Sequence, residues 1–201
     1  MAAEVAIIDS GGANLASLVY ALQRMGASAV VTADAQLIRA APRVLLPGVG
    51  SAGNAMQRLR AAGLHEVIPQ LTQPLLGICL GMQLLFEASA EGDGGPTACL
   101  GILPGRVERL RASPQHPVPH MGWNTTQPVE ADPLFAGLSA SDYFYFVHSY
   151  RAPLGAFTLA RSEYSETFSS AVRHRNFRGV QFHPERSAGP GARLLANFLK
   201  S

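Results

Sequence analysis

The chain has 201 residues, 47% hydrophobic and 15% charged, so it is apolar enough to fold and long enough to bury roughly 70% of the surface of its unfolded form as one domain, 1–201. Its formal net charge of +2 is spread along the whole sequence, which leaves no concentrated field for nucleic acid or an anionic membrane surface. Glu4 stands where a secretory signal carries positive charge, no stretch approaches the roughly 20 apolar residues of a membrane span, and two cysteines, Cys79 and Cys99, make no disulfide framework, so the expected setting is a reducing cytoplasm.

The first half alternates short apolar runs with helical patterns. VAIID (5–9) precedes a helix from Asn14 to Met25, AVVTA (29–33) one from Gln36 to Ala40, and RVLLPG (43–48) one from Ala52 to Ala62; PLLGIC (74–79) leads into LGMQLLFEAS (80–89). Nearly continuous apolar strands, each followed by a helix, predict an α/β layered fold with a mostly parallel sheet covered on both faces. Residues 92–95 with Pro96 read as a surface loop. Beyond it the runs at 102–110, 120–128, 143–150, 158–164, 169–175 and 177–183 read as strands joined by turns, closed by a helix from Ala192 to Lys200. The expectation is a mixed sheet whose later, partly antiparallel strands return beside the first half.

The chemistry concentrates at Gly77-Ile78-Cys79-Leu80-Gly81, where an apolar strand meets a helical pattern. Small residues on both sides of a nucleophile permit the tight strand-to-helix turn that lifts its side chain off the sheet. A helix start there favours thiolate over thiol and aims the Leu80 N–H at a developing oxyanion. A buried, inert thiol is the commoner fate of a cysteine, so the motif needs partners.

A thiol that attacks an amide needs a base, and the base an orienting acid. Gln181-Phe182-His183-Pro184-Glu185 supplies both, since residues i and i+2 of an extended strand share a face. Of the other histidines, His65 lies in a helical pattern and His116 in a Pro-rich loop, both read as solvated; His174 lies among Arg173, Arg175 and Arg178; His120 and His148 lie in strands, as interface or supporting groups. Only His183 has an acid at i+2. The loop Leu46-Pro47-Gly48-Val49-Gly50-Ser51 closes the third strand. Its two glycines let backbone N–H groups approach a ligand; the third glycine of a dinucleotide fingerprint is out of register, and the loop reads better as the other half of an oxyanion hole, through Val49 and Gly50, facing Cys79 across neighbouring strand ends.

Together these motifs resemble the class I, or triad, glutamine amidotransferases, and the likeness runs through IIDSGGANLASLVYAL, LLPGVGSAGNAMQRL, GICLGMQLLFEASAEG, GILPGRVERL, VPHMGWN, YFVHSY and GVQFHPERSAGPGARLLANFL. VPHMGWN and YFVHSY point within that family to glutaminase subunits that supply a cyclase in histidine biosynthesis. The resemblance implies a flavodoxin-like α/β fold, glutamine as substrate, Cys79 as nucleophile, His183 as proton carrier and Glu185 as its orienter. It further implies that Gln83, Ser149 and the backbone from Gly48 to Gly50 contact the substrate, that no cofactor or metal is needed, and that a (β/α)8-barrel cyclase is the partner. Arg186 departs from the Lys usual after His-Pro-Glu; Cys99 and Ser165 stand where Gly is common. Rival readings are another class I subunit with a different acceptor, a cysteine peptidase, and a non-catalytic scaffold. Pro119 to Asn124 is the expected docking segment, with Trp123 as either an interface or a core residue.

Overall fold

The computed structural model describes residues 3–10, 15–92 and 95–201; the expected helix start at Asn14 and the middle of the 92–95 loop lie outside the described residues. The N-terminal runs form four parallel strands, β1 (Val5–Ile8), β2 (Ala29–Thr32), β3 (Arg43–Gly48) and β4 (Leu75–Cys79). Between them run α1 (Leu15–Arg24), α2 (Ala35–Ala40), α3 (Ala52–Ala61) and α4 (Leu64–Val67). Asp34 caps α2 by accepting from the Gln36 and Leu37 N–H groups, and Ser51 caps α3 by accepting from Asn54. Each cap satisfies N–H groups that a helix start leaves unpaired, worth about 1 kcal/mol apiece.

The rest of the chain contributes α5 (Leu80–Gln83), β5 (Phe86–Ser89), β6 (Thr97–Ala98), β7 (Leu103–Arg109), β8 (His120–Thr125), β9 (Gln127–Pro128), β10 (Tyr143–His148), β11 (Tyr150–Arg151), β12 (Thr158–Glu163), β13 (Thr167–His174), β14 (Phe177–Val180) and α6 (Ala188–Phe198). The main sheet runs β2-β1-β3-β4-β14-β13-β12-β9. β14 joins β4 in parallel, while β13, β12 and β9 are antiparallel to their neighbours. Two smaller sheets, β10-β8 and β11-β7-β5-β6, lie apart from it.

The central strands are apolar throughout because they face two cores. Ala6, Ile8, Val44, Leu46 and Leu75 pack with α2, α3 and α4 on one side; Val5, Ile7, Leu45, Leu76 and Ile78 pack with α1, α6 and β10 on the other. Phe144, Phe146, Phe168, Phe182 and Phe198 are fully buried in the second core, each worth about 1.5–3 kcal/mol of burial. Phe182 lies against Phe144 with ring centroids 4.2 Å apart, and so anchors the residue before His183.

Two expectations are corrected. The helix read over 80–89 is one turn: Leu84 N–H reaches Leu80 O, Leu85 N–H reaches Met82 O, and from Phe86 the chain is strand β5 paired with β7. The segment 177–183 pairs as strand only to Val180, and Pro184–Arg186 is a 3-10 turn. The closing helix also starts earlier, at Ala188. Gly191 fits there because a Cβ would lie 2.0 Å from Pro184 O.

Candidate active site

Cys79 ends β4 and immediately precedes α5, with φ 54° and ψ −112°. A side-chain-bearing residue reaches that conformation at a cost of about 1–3 kcal/mol and keeps it only where its surroundings leave no alternative. Here the surroundings are glycines. A Cβ on Gly81 would sit 1.7 Å from Leu46 O, one on Gly77 would sit 2.7 Å from Gly81 O, and one on Gly48 would sit 3.0 Å from both Gly81 N and Leu80 Cβ. The turn is thus pressed against the end of β3, and Gly48 is the register partner of Cys79. Ser10 donates to Pro47 O at 2.8 Å and holds the start of the 47–50 loop; Gly50 has φ +87°, which glycine adopts freely.

On the other side of β4, Val180 is in register with Ile78. The chain then carries Gln181, Phe182 and His183 over the same strand ends. His183 N–H donates to Tyr145 O at 2.9 Å, and its own carbonyl accepts from Ser187 Oγ. Its Nδ1 lies 2.8 Å from Glu185 Oε1. The His-x-Glu contact therefore exists, but the 3-10 turn brings the two side chains together rather than the shared face of a strand. Nε2 is buried without a hydrogen-bond partner. Burial opposes charge on this ring, yet the neighbouring Cys79 sulfur and the Glu185 carboxylate outweigh it and push the His183 pKa from near 6.5 up to about 10.

Gly48, Val49, Gly50, Cys79, Leu80, Gln83, Ser149, His183 and Glu185 all line one cleft of about 390 Å³. The Leu80 N–H is the first amide of α5 and has no acceptor within the helix, which leaves it available to a ligand at the sulfur. Gln83 is buried, and its Nε2 donates to Tyr150 O and to Gln181 Oε1, both at 2.9 Å; its own Oε1 is the atom left to accept from a substrate.

Three further cleft features carry no mark in the sequence pattern that singled out the triad. Glu91 lines the wall and accepts from Ala52 N–H at 2.8 Å, and burial raises its pKa. Nothing in Ala-Glu-Gly-Asp distinguishes it. Gln181 places its amide 3.7 Å from the Cys79 sulfur, and its position two residues before His183 is the one available signal. His148 pairs with His120, Nε2 to Nδ1, at 2.9 Å; both are buried, so neither is a solvated or interface histidine. Trp123 is 53% exposed, which removes it from the core. His65 sits in α4 and His116 is half-buried with its ring edge on Tyr164.

A strained cysteine at a strand-to-helix turn, a buried His-Glu pair over the neighbouring strand end and a glycine loop on the other side define a cysteine-dependent amidohydrolase site on a parallel sheet. A family model described as "Glutamine amidotransferase class-I" matches residues 6–201, and the chain belongs to that family of enzymes. It is similar over most of its length to proteins named "Imidazole glycerol phosphate synthase subunit HisH": 51% identical to one from Shewanella oneidensis, covering 98% of this chain and 96% of that protein, and 53% identical to one from Xylella fastidiosa, covering 98% and 97%. Among solved structures, the fold resembles a putative GMP synthase protein from Thermoplasma acidophilum (TM-score 0.76, 18% identity, covering 100% of this chain and 94% of that one). It also resembles PurLQS from Thermotoga maritima (TM-score 0.72, 16% identity, covering 100% and 99%).

Proposed function

We infer that the chain is the glutaminase subunit of an imidazole glycerol phosphate synthase, working through Cys79, His183 and Glu185. The observation that carries the reading is Cys79 at its strained turn beside the buried His183–Glu185 pair. The Cys79 sulfur attacks the side-chain amide carbon of glutamine, and the oxygen develops negative charge towards the Leu80, Val49 and Gly50 N–H groups. His183, charged at neutral pH, gives its proton to the departing nitrogen, and ammonia leaves as the thioester forms. The now neutral ring takes a proton from water, whose oxygen attacks the thioester; glutamate leaves and the thiolate–imidazolium pair returns. Glu185 orients the ring and stabilises its charge. Glu91 and Gln83 Oε1 offer acceptors to the α-ammonium of the substrate, and Ser149 lines the same wall.

Ammonia released into water is protonated and lost, so the acceptor site must cover the cleft. The partner we infer is a (β/α)8-barrel cyclase docked on the outer face of β8 and β10. That face exposes Met121, Trp123 and Tyr143. Tyr145 bridges it to the cleft, with Trp123 against its edge at 6.0 Å and the Arg186 guanidinium over its ring at 5.1 Å. Arg186 thus stands between the cleft and the proposed interface. Both cysteines are free thiols, which suits a reducing cytoplasm; among the described residues no helix is long and apolar enough to cross a membrane.

The test is the Cys79→Ala variant assembled with a cognate cyclase. Glutamine-dependent synthesis should fall on the order of 10⁶-fold, the scale of nucleophile loss in another hydrolase triad, while synthesis supplied with ammonium salts should persist. Loss of both activities would show that this chain does more than produce ammonia.

A further inference from the structure

We propose that Gln181 is a further catalytic residue of this glutaminase, holding the Cys79 sulfur with a side-chain N–H whose orientation is fixed by Gln83, the Tyr150 carbonyl and the His148–His120 pair. The proposal rests on Cys79 being the nucleophile. Gln181 is fully buried, its backbone N–H is bound to Ser170 O, and its side chain spans from Gln83 to the sulfur.

The direction of the Gln181 amide follows from one carbonyl. Tyr150 O accepts only, so the Gln83 atom 2.9 Å from it is the nitrogen. That nitrogen also lies 2.9 Å from the Gln181 side chain, which must therefore present oxygen. The other end of the Gln181 amide, 3.7 Å from the sulfur, is then the NH2 group. The same carbonyl settles the second branch. His148 Nδ1, 2.8 Å from Tyr150 O, carries a proton. Its buried ring is neutral, with a pKa pushed down to about 3 mainly by burial, so Nε2 is an acceptor and His120 Nδ1 donates to it. Both lone-pair directions of Tyr150 O are thus occupied, and Gln83 cannot flip without setting oxygen against oxygen.

At the sulfur the two polar neighbours act oppositely. The thiol donates to Val147 O at 3.8 Å, a contact that favours the protonated form; the Gln181 N–H favours the anion. Without Gln181 the thiolate faces a carbonyl dipole with one donor fewer. The titratable and charged groups lining the cleft around it are Glu91, His148, Tyr150, His183, Glu185 and Arg186. All stay unchanged in the variant below, so a displaced profile isolates Gln181.

The experiment uses the full chain: Gln181→Met, which keeps the length of the side chain and removes the donor, is compared with the parent for alkylation by iodoacetamide from acid to alkaline pH. Peptide mapping reads Cys79, with Cys99 as internal reference; burial pushes the Cys99 thiol up to about 11. We expect Cys79 to react faster than Cys99 in the parent, and its rate at neutral pH to fall about tenfold in Gln181→Met, with the half-maximal point about one pH unit higher. His148→Phe should move the profile the same way by less, and His148→Asn, whose amide can replace Nδ1–H, should restore most of it. A reactive parental Cys79 whose profile is unmoved in Gln181→Met overturns the role of Gln181 alone. A parental Cys79 no faster than Cys99 overturns the glutaminase reading with it. Should Gln181→Met fail to fold, the parent decides: Gln181 side-chain amide protons, followed by ¹⁵N NMR, should shift with the midpoint of Cys79 alkylation, and protons that ignore that midpoint refute the contact.

Discussion

The protein buries two histidine pairs within one cleft region and charges only one of them. His183 and His148 are both about 6% exposed, yet His183 is pushed up to about 10 and His148 down to about 3, with His120 down to about 4. Burial lowers all three. What separates them is the partner: His183 meets a carboxylate and a sulfur, whereas His148 and His120 meet a backbone carbonyl and each other. A buried imidazole thus carries protons where a negative group accompanies it, and serves as fixed scaffolding where none does.

The sharpest way to break this comparison is to delete one ring from each pair. His183→Ala should lower glutaminase turnover on the order of 10⁶-fold and Glu185→Ala roughly 10⁴-fold, as in another hydrolase triad, whereas His148→Phe should cost about tenfold. Steady-state glutaminase assays on the assembled enzyme check the order, and a Glu185 variant worse than the His183 variant would reverse the assigned roles. Next in size is the outer face of the strand whose inner side holds His120. Trp123→Ala should weaken association with a cyclase by about 2 kcal/mol and uncouple glutamine hydrolysis from synthesis. Titration calorimetry and product ratios measure both. An unchanged pair of values in a folded variant would move the docking face elsewhere.

The smallest effect concerns stability against pH, and its two limbs have opposite signs. The ring of His183 binds its proton more tightly folded than unfolded, so the stability it gives is fully present below pH near 6.5 and is lost as pH rises through its folded pKa. For His148 and His120 the folded pKa is depressed, so they destabilise as pH falls from near 6.5 towards 4 and 3. Melting curves should show His148→Phe with a flatter acid limb. Glu185→Gln, compared in a Cys79→Ala background so that no sulfur titrates beside the ring, should flatten the alkaline limb. Each change should be about 2–4 °C; a flattening on the wrong limb would contradict the assigned partners.

The same contrast explains what the sequence makes legible. β3 and β4 are apolar on both faces and announce a covered parallel sheet; Cys79 between Ile78 and Leu80, with Gly77 and Gly81 outside them, announces a tight turn. Residues 80–89 mislead because Leu80, Leu84 and Leu85 fit a helical period while Phe86 onward also fits a strand, and only pairing with β7 decides. The His183–Glu185 contact is expected for a geometry the chain does not adopt there. Gln181, Glu91 and the His120–His148 pair lie beyond the reach of sequence, because each depends on a partner distant along the chain: His148 stands opposite His120 only through the β10–β8 register.

The insertion of β14 beside β4 sets when in the life of the molecule the thiol becomes reactive. Cys79 and Gln181 are 102 residues apart in the chain, and His183 follows two residues later. Neither reaches the sulfur until a non-local strand pairing has formed, a step that folds slowly compared with local helices and turns. A chain still growing on the ribosome, with Cys79 made and β14 not yet made, carries an ordinary thiol. Completion of the central sheet arms it.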